Sequence, residues 1–408
     1  MRGVFFLFVL TPFILANSQV HHAYWFSDLH LDNHYTEGAP DKCWVGTSSG
    51  MKCCRAYDIP LEGSKPASRW GDYACDTPAL LIHTLMNATR DLLFPDFPPT
   101  LIVQTGDLVD HHDVAQDFSH NMHEVDECTN ALKALGVNVP FTMVIGNHDS
   151  WPVDQLGEPG EDGSTRLTRH LWSVWSPLEP FASFDGTARQ DFLKGGYYTF
   201  DLTPDLRLIV TNSLYDDDHN ILIGNVTNPA NQTTWLEDAI QTSVEDHKSV
   251  WLLGHIPPGN GEADGRYTTL LKTLTDRYPI QAQFFGHTHL DSFVLYPSGD
   301  YAMIMPSVLP EKHGPAVRVV SFYANGTLVD WATYALSLDA LVQNDTVRLD
   351  KVWAATDVLG PTLNVSAWYT AALTNDSLVQ DFWRWHHVGN PPPASLAEMR
   401  LTLESIKV

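Results

Sequence analysis

The sequence predicts an α/β protein of two packed β-sheets with helices on the outside. Three observations lead there. Short apolar, β-favouring runs alternate with helical apolar series along most of the chain. The predicted strands include both parallel-type and hairpin-type connections, so the sheets are mixed. Several strands stop at a glycine or serine that is followed at once by Asp, Asn or His. In open α/β sheets the carboxyl ends of strands are where ligands gather. A length of 408 residues with 44% apolar composition is ample for a large core, in one large domain or two.

Taken in order, residues 1–18 read as a secretory signal peptide. Arg2 precedes an almost wholly apolar run from Val4 to Leu15, and small residues close it. The run is too short to span a bilayer, and no later stretch is long and apolar enough to do so. Tyr24–Ser27 is a short strand followed by Asp28-Leu29-His30. Residues 33–76 carry Cys43, Cys53, Cys54 and Cys75, several glycines and prolines, and no clean periodicity. Adjacent Cys53 and Cys54 are poor partners for each other, and no Cys-X-X-Cys spacing supports a zinc knuckle, so the segment reads as a loop region stapled by two disulfides. A helix is expected from Thr77-Pro78, with threonine as cap and proline at the first helical position. Leu81, Leu85 and Leu92 form its apolar stripe.

The strand 101–105 ends in Gly106-Asp107. A helix of about 20 residues follows from roughly 114. Its apolar series of Phe118, Met122, Val125, Leu132 and Leu135 includes Cys128, which reads as a buried free thiol. Phe141–Ile145 is a strand ending in Gly146-Asn147-His148-Asp149. Residues 151–195 are loop and helix. Tyr197–Phe200 and Leu206–Thr211 are paired strands turning at Pro204-Asp205. Residues 216–233 are a polar loop, and Trp235, Leu236 and Ile240 begin a helix. Val250–Leu253 runs into Gly254-His255, and Ala282–Phe285 into Gly286-His287-Thr288-His289. Strands follow at 292–296, 301–305, 317–324 and 327–334. Residues 340–408 are mixed and close on a helix after Pro391, with Ser395 and Glu398 in a capping-box pattern. The expected division is therefore 1–18, a main domain at 19–338, and a C-terminal region at 339–408 packed upon it.

Charge and processing signals narrow the partners. A formal net charge of −25 disfavours duplex nucleic acid and suits an acidic compartment. Seven Asn-X-Ser/Thr triplets, at Asn87, Asn225, Asn231, Asn325, Asn344, Asn364 and Asn375, agree with a secreted glycoprotein. The C-terminus has no apolar tail for a lipid anchor. A monomer is expected.

The groups at the strand ends carry the chemistry. Asp107 taken alone reads as a helix cap or a metal ligand. The recurrence of the pattern favours the ligand reading. Asp28, His30, Asp107, Asn147, His255, His287 and His289 offer four imidazoles, two carboxylates and one amide oxygen. That mixture suits Zn²⁺, Fe or Mn²⁺ better than Ca²⁺ or Mg²⁺. Seven ligands exceed one tetrahedral site and suit two metals sharing a bridge, for which Asp107 is the natural carboxylate. Asp28-X-His30 and His287-X-His289 would share a face on an extended strand and can diverge on a turn.

The ordered set Asp28-X-His30, Gly106-Asp107, Gly146-Asn147-His148-Asp149, Gly254-His255 and Gly286-His287-X-His289 resembles the motifs of calcineurin-like metallophosphoesterases. The resemblance implies a four-layer αββα sandwich of two mixed sheets flanked by helices. It implies a first metal on Asp28, His30, Asp107 and His289, and a second on Asp107, Asn147, His255 and His287. The third residue after Asp107 is Asp110, not the tyrosine of purple acid phosphatases, and the fourth is His111, not the arginine of protein Ser/Thr phosphatases. Further stretches look like acid sphingomyelinase and its phosphodiesterase relatives. They are Cys53-Cys54-Arg55, Trp70-Gly71, Cys75-Asp76-Thr77-Pro78, the run from Gly146 to Gln155, His255-Ile-Pro-Pro-Gly259, and Pro306–Pro310 before Pro315–Arg318. This likeness runs from about Tyr24 to about Leu338. It implies two Zn²⁺, an acidic or extracellular setting, and disulfides Cys43–Cys53 and Cys54–Cys75.

The activity expected is hydrolysis of a phosphodiester or phosphoanhydride by a two-metal hydroxide mechanism. His148 is the first candidate to protonate the leaving group and His111 the second, with Asp149 either orienting His148 or capping a helix. His112 reads as a solvated loop residue. Asp28 follows the expected cleavage point by about ten residues, so no lipid-presenting domain is expected before it. That favours small soluble diesters. The alternatives are a sphingomyelin phosphodiesterase releasing phosphocholine, and a catalytically silent binding protein that kept the fold.

Overall fold

The computed structural model describes residues 19–44, 52–112, 116–311, 313–389 and 391–408. The leader expected over 1–18 lies outside them. The strands are β1 (His21–Phe26), β2 (Leu101–Gln104), β3 (Phe141–Met143), β4 (Tyr198–Thr203), β5 (Leu206–Val210), β6 (Ser249–Leu253), β7 (Ile280–Phe285), β8 (Ser292–Leu295), β9 (Tyr301–Ile304), β10 (Ala316–Phe322), β11 (Leu328–Leu336) and β12 (Leu349–Ala354). They form two six-stranded mixed sheets, ordered β12-β11-β10-β1-β2-β3 and β4-β5-β6-β7-β9-β8. Every residue of β2 and β3 is buried, as expected of parallel strands covered on both faces. The sheets meet through large aromatics. Trp25 of β1 lies 4.3 Å from Phe284 of β7, and Trp251 of β6 lies 4.6 Å from Phe322 of β10, between ring centroids.

Strand direction places the site. β1, β2 and β3 run parallel side by side in one sheet, and β6 and β7 run parallel in the other. Their five carboxyl ends therefore open on one edge of the sandwich.

The helix expected at Thr77 starts later, at Ala79, with Pro78 in the cap position and no side-chain cap bond. Thr77 lies one position before the cap, donates its backbone N–H to His30 O at 2.9 Å and so is tied to the site loop, while its hydroxyl caps nothing among the described residues. The next helix is Phe118–Lys133, shorter than expected, because Asp117 caps it by accepting from His120 N. The hairpin β4–β5 and the final helix Leu396–Ser405 with its capping box form as predicted. Helix Gly265–Arg277 and strand β12 were not foreseen. β12 pairs with β11, so residues beyond 338 complete one edge of the first sheet. The C-terminal helices also touch the site side of the second sheet, where His386 O accepts from Asp291 N at 3.1 Å.

Between residues 33 and 77 the described chain forms isolated β-bridges and turns. Two disulfides hold it, Cys43–Cys53 and Cys54–Cys75, and Cys128 is a buried free thiol. Arg55 is wholly buried and reaches Asp32 at 3.0 Å, Asp76 at 3.2 Å and Asp110 at 3.5 Å. Burial raises Asp32 to about 8 against the pull of Arg55, while Asp76 is held below its ordinary range. The His111 and His120 imidazoles and the Arg55 guanidinium together hold the charge of this carboxylate cluster under the site.

Removing a buried partner and leaving charges uncompensated costs about 3–5 kcal/mol. Arg55→Met should lower unfolding free energy by roughly that amount in urea titrations. A loss below about 1 kcal/mol would show that the cluster is neutral without it.

Candidate metal centre

The strand ends turn sharply before they present their side chains. Asp28, His30, Asp107, His287 and His289 all have left-handed backbones, with φ of 50°, 42°, 58°, 73° and 61°. Such conformations cost non-glycine residues on the order of 1–3 kcal/mol each, so the surroundings must enforce them. Backbone bonds between the two loops do so: Asp28 N donates to Gly106 O at 3.0 Å and Leu29 N to Asp107 O at 2.7 Å. Close approach is the second means. A Cβ on Gly106 would lie 2.4 Å from His255 Nδ1, and one on Gly146 would lie 2.1 Å from Asp107 N.

The turns bring the seven predicted ligands together. Candidate donor atoms of Asp28, His30, Asp107 and His289 lie within 4.8 Å of one another, and so do those of Asp107, His255 and His287. Asp107 belongs to both groups. Asn147 Oδ1 joins the second, 2.9 Å from His255 Nε2 and 3.2 Å from His287 Nδ1. Asp28 and His30 fall in one group, whereas His287 and His289 diverge to different groups.

Hydrogen bonds fix which ring nitrogens face inward. His30 Nδ1 meets Val109 O at 2.8 Å, His255 Nδ1 meets Thr105 O at 2.7 Å, and His289 Nδ1 meets Glu311 Oε2 at 2.9 Å. Each of these Nδ1 atoms carries its proton toward an acceptor, so each Nε2 presents a lone pair. His287 is reversed. Its Nε2 lies 2.8 Å from Glu262 Oε2, and its Nδ1 faces the site.

These lone pairs test whether cations belong here. His30 Nε2 and His289 Nε2 face each other at 3.0 Å, and His255 Nε2 faces Asp107 Oδ2 at 3.1 Å and Asn147 Oδ1 at 2.9 Å. Acceptors directed at acceptors are repulsive unless a proton or a metal ion lies between them. A proton can serve at His255: burial opposes it, but Asp107 outweighs burial and pushes the ring up to about 10. At His30 burial wins and holds the ring well below its ordinary value. The donor set therefore fits metal ions, and the mixture of nitrogen and oxygen suits transition-type dications.

The proton-transfer candidates lie beside the first group. The His111 ring stacks on His30 at 3.9 Å and stands 4.5 Å from the ring of His148. Asp76 Oδ1 holds His111 Nδ1 at 2.6 Å, which leaves Nε2 for a substrate. Burial opposes charge on His111, but Asp76 prevails and raises its pKa above the ordinary value. Asp149 sits under the same loops. Its carboxylate accepts from the backbone N–H groups of Gly146 at 2.7 Å, Leu108 at 2.7 Å and Asp107 at 3.2 Å. It clamps the peptides around Asp107 and Gly146. His112, read as a loop residue, is half-buried.

Sequence reasoning missed the outer partners Asp76, Asp154, Glu262 and Glu311. Asp154 accepts from Asn147 Nδ2 at 2.9 Å, as Glu262 and Glu311 engage His287 and His289. Their only local signal was a carboxylate in a loop. All but Asp76 line, with Lys52, His111, His148 and the candidate ligands Asp107, Asn147, His287 and His289, a cleft of about 620 Å³.

Asp107→Asn keeps the shape and removes the shared charge. It should bind well under two equivalents of metal by elemental analysis and turn over at least about 100-fold more slowly. Two tightly held equivalents and normal turnover would exclude Asp107 as a bridge.

The family model for calcineurin-like phosphoesterases matches residues 24–291. The chain is 28% identical to sphingomyelin phosphodiesterase of Bos taurus over 389 residues, covering 90% of this chain but only 60% of that protein. It is 26% identical to acid sphingomyelinase-like phosphodiesterase 3b of Mus musculus, covering 90% of this chain and 82% of the relative. A cyclic GMP-AMP phosphodiesterase of Rattus norvegicus is 28% identical over 76% of this chain and 71% of its own length. The chain belongs to the calcineurin-like phosphoesterase family, and within it stands with the acid sphingomyelinase-like phosphodiesterases.

Proposed function

We propose that the chain is a secreted phosphodiester hydrolase that works with two divalent ions, Zn²⁺ being the one that the likeness to acid sphingomyelinases implies and the donors accommodate. The observation that carries the reading is Asp107, one buried carboxylate common to two donor groups, with two further imidazoles beside them. In this reading Asp28, His30, Asp107 and His289 hold one ion, and Asp107, Asn147, His255 and His287 the other. Bound dications neutralise phosphoryl oxygens and make a water nucleophilic near neutral pH.

The chain's own residues supply the remainder. Asp149 fixes the peptide of Asp107, so the shared carboxylate is held before substrate arrives. Thr105 O and Val109 O orient His255 and His30. His148 and His111 stand together on one side of the cleft and give the departing oxygen its proton. Asp76 keeps His111 both oriented and charged in mildly acid conditions. The relatives act on sphingomyelin and on cyclic GMP-AMP by their names, which supports a phosphodiester substrate here, either small and soluble or lipid.

Secretion and glycosylation belong to the same reading. The paired cysteines suit an oxidising compartment, and six of the seven acceptor asparagines are exposed, Asn325 being half-buried. We place the signal peptide at 1–18, the catalytic unit at 19–338, and an extracellular or acidic lumenal destination.

His148→Ala should lose about 100-fold or more in rate on an alkyl phosphodiester but far less on a nitrophenyl ester, whose leaving group needs no proton. Equal losses on both would remove His148 as the acid. For substrate class, rates on sphingomyelin vesicles and on a soluble nucleotide diester should be compared at pH 5. Preference for the nucleotide is expected; preference for the vesicles would assign the lipid reaction.

A further inference from the structure

The two sides of the metal cleft are built differently. On the side of His287, Glu262 stands 2.8 Å from Nε2 with no lysine or arginine paired to it among the described residues. Asp154 adds a second carboxylate there through Asn147. On the side of His289, Glu311 plays the part of Glu262, but it is also paired with Lys52, whose Nζ lies 2.6 Å from Oε1. Lys52 is the one lysine or arginine among the described residues that line the cleft.

Supporting a ligand imidazole does not explain this lysine, because Glu262 does the same for His287 without one. Lys52 is also costly to immobilise, yet its side chain is only 14% exposed. It directly precedes Cys53 and Cys54, each in a disulfide, and its carbonyl accepts from Arg55 Nη1 at 2.6 Å. The stapled loop thus delivers a fixed ammonium to the cleft. It does so on the side where His111 stands, 5.6 Å from His289 between ring centroids, which is the leaving-group side in the proposed reaction. An ammonium has three donors, and Glu311 takes one of them among the described contacts.

We propose that Lys52 is a specificity-determining residue that binds a second anionic group on the leaving side of the substrate. The class it favours is a phosphoanhydride, or a phosphodiester whose leaving group carries its own phosphate. This rests on the hydrolytic reading above. The acidic side, with Glu262 and Asp154, repels such a group, so the substrate is accepted in one orientation. In the reaction the oxygen of water joins the scissile phosphorus and the bond from that phosphorus to the leaving oxygen breaks. The leaving phosphate departs with the bonding electron pair and the proton that His148 or His111 gives it; one proton of the water restores that histidine, and the other stays on the new P–OH. Lys52 offsets the charge that this phosphate gains.

The test uses the metal-loaded full chain with two substrates, a nucleoside 5′-diphosphate and bis(4-nitrophenyl) phosphate, which has no second anion. Lys52→Met should lower kcat/KM for the diphosphate about tenfold more than for the nitrophenyl diester. Methylenediphosphonate should likewise lose about tenfold more inhibitory affinity than methylphosphonate. Lys52→Arg, which keeps the charge, should retain most of the preference. Equal losses on both substrates with both inhibitors would reduce Lys52 to a support for Glu311 and overturn the inference. A wild-type enzyme that cleaves the nitrophenyl diester but neither cleaves the diphosphate nor binds methylenediphosphonate would overturn it too. If wild type cleaved neither substrate, the hydrolytic reading would fall first and the inference with it.

Discussion

A single buried carboxylate governs this structure. Asp107 is 1% exposed at the end of β2, with His255, His30 and the backbone N–H of His148 around it. Burial alone would drive it toward the neutral acid, yet the neighbouring imidazoles hold its pKa well below the ordinary carboxylate range. A charge kept in such a place needs fixed partners on every side. The backbone N–H of His148 is one of them, Asp149 braces the loop from below by accepting three backbone N–H groups of its own, and Gly106 and Gly146 let the neighbouring loops come close enough to matter. The order of strands in both sheets serves this convergence, because parallel neighbours are what bring five carboxyl ends to one edge.

The stapled region before the first long helix is tied to the same point. It has few apolar anchors of its own: Cys54, Ala67 and Cys75 form a small cluster apart from the main core. Disulfides replace the missing hydrophobic contacts. Their residues flank the groups that reach the site. Arg55 follows Cys54 and Asp76 follows Cys75, and the two side chains pair with each other while Asp76 holds His111. Lys52 precedes Cys53 and reaches Glu311. A loop with no periodicity thus reaches the cleft from two directions, because covalent bonds fix its backbone where packing does not.

Much of this was legible in the sequence, and the limits have physical causes. All seven candidate ligands could be named, since each directly follows a strand and a tight turn, and such signals are local. The two-sheet architecture was legible for the same reason. The outer partners were not, because a carboxylate such as Glu262 or Glu311 is assigned to a particular imidazole by tertiary packing over dozens of residues. The bonds that Asp149 accepts from the backbone N–H groups of Gly146, Leu108 and Asp107 were likewise out of reach, because two of those residues lie about 40 positions away in sequence. Thr77 is not the cap because the helix starts one residue later, with Pro78 in the cap position. β12 was hidden because it is an edge strand whose first four residues, Asp350 and Lys351 exposed among them, give no buried run. Helix Gly265–Arg277 did carry a signal, with Tyr267, Leu271 and Leu274 at helical spacing and Asp264 as cap.

The left-handed turns and the facing lone pairs point the same way. Five ligands in unfavourable backbone conformations, and imidazole nitrogens aimed at other acceptors, are two separate costs concentrated in one place. Neither would persist in a site whose only task was to close the edge of a sandwich, since ordinary turns with glycine and water would do so more favourably. Both become reasonable if the charge of bound ions is part of the folded state. Ligation energy then offsets the strain, and the strain in turn keeps seven donors pre-arranged. The acidic composition of the chain fits this balance, because divalent ions at such a site return positive charge to a surface that has an excess of the opposite sign.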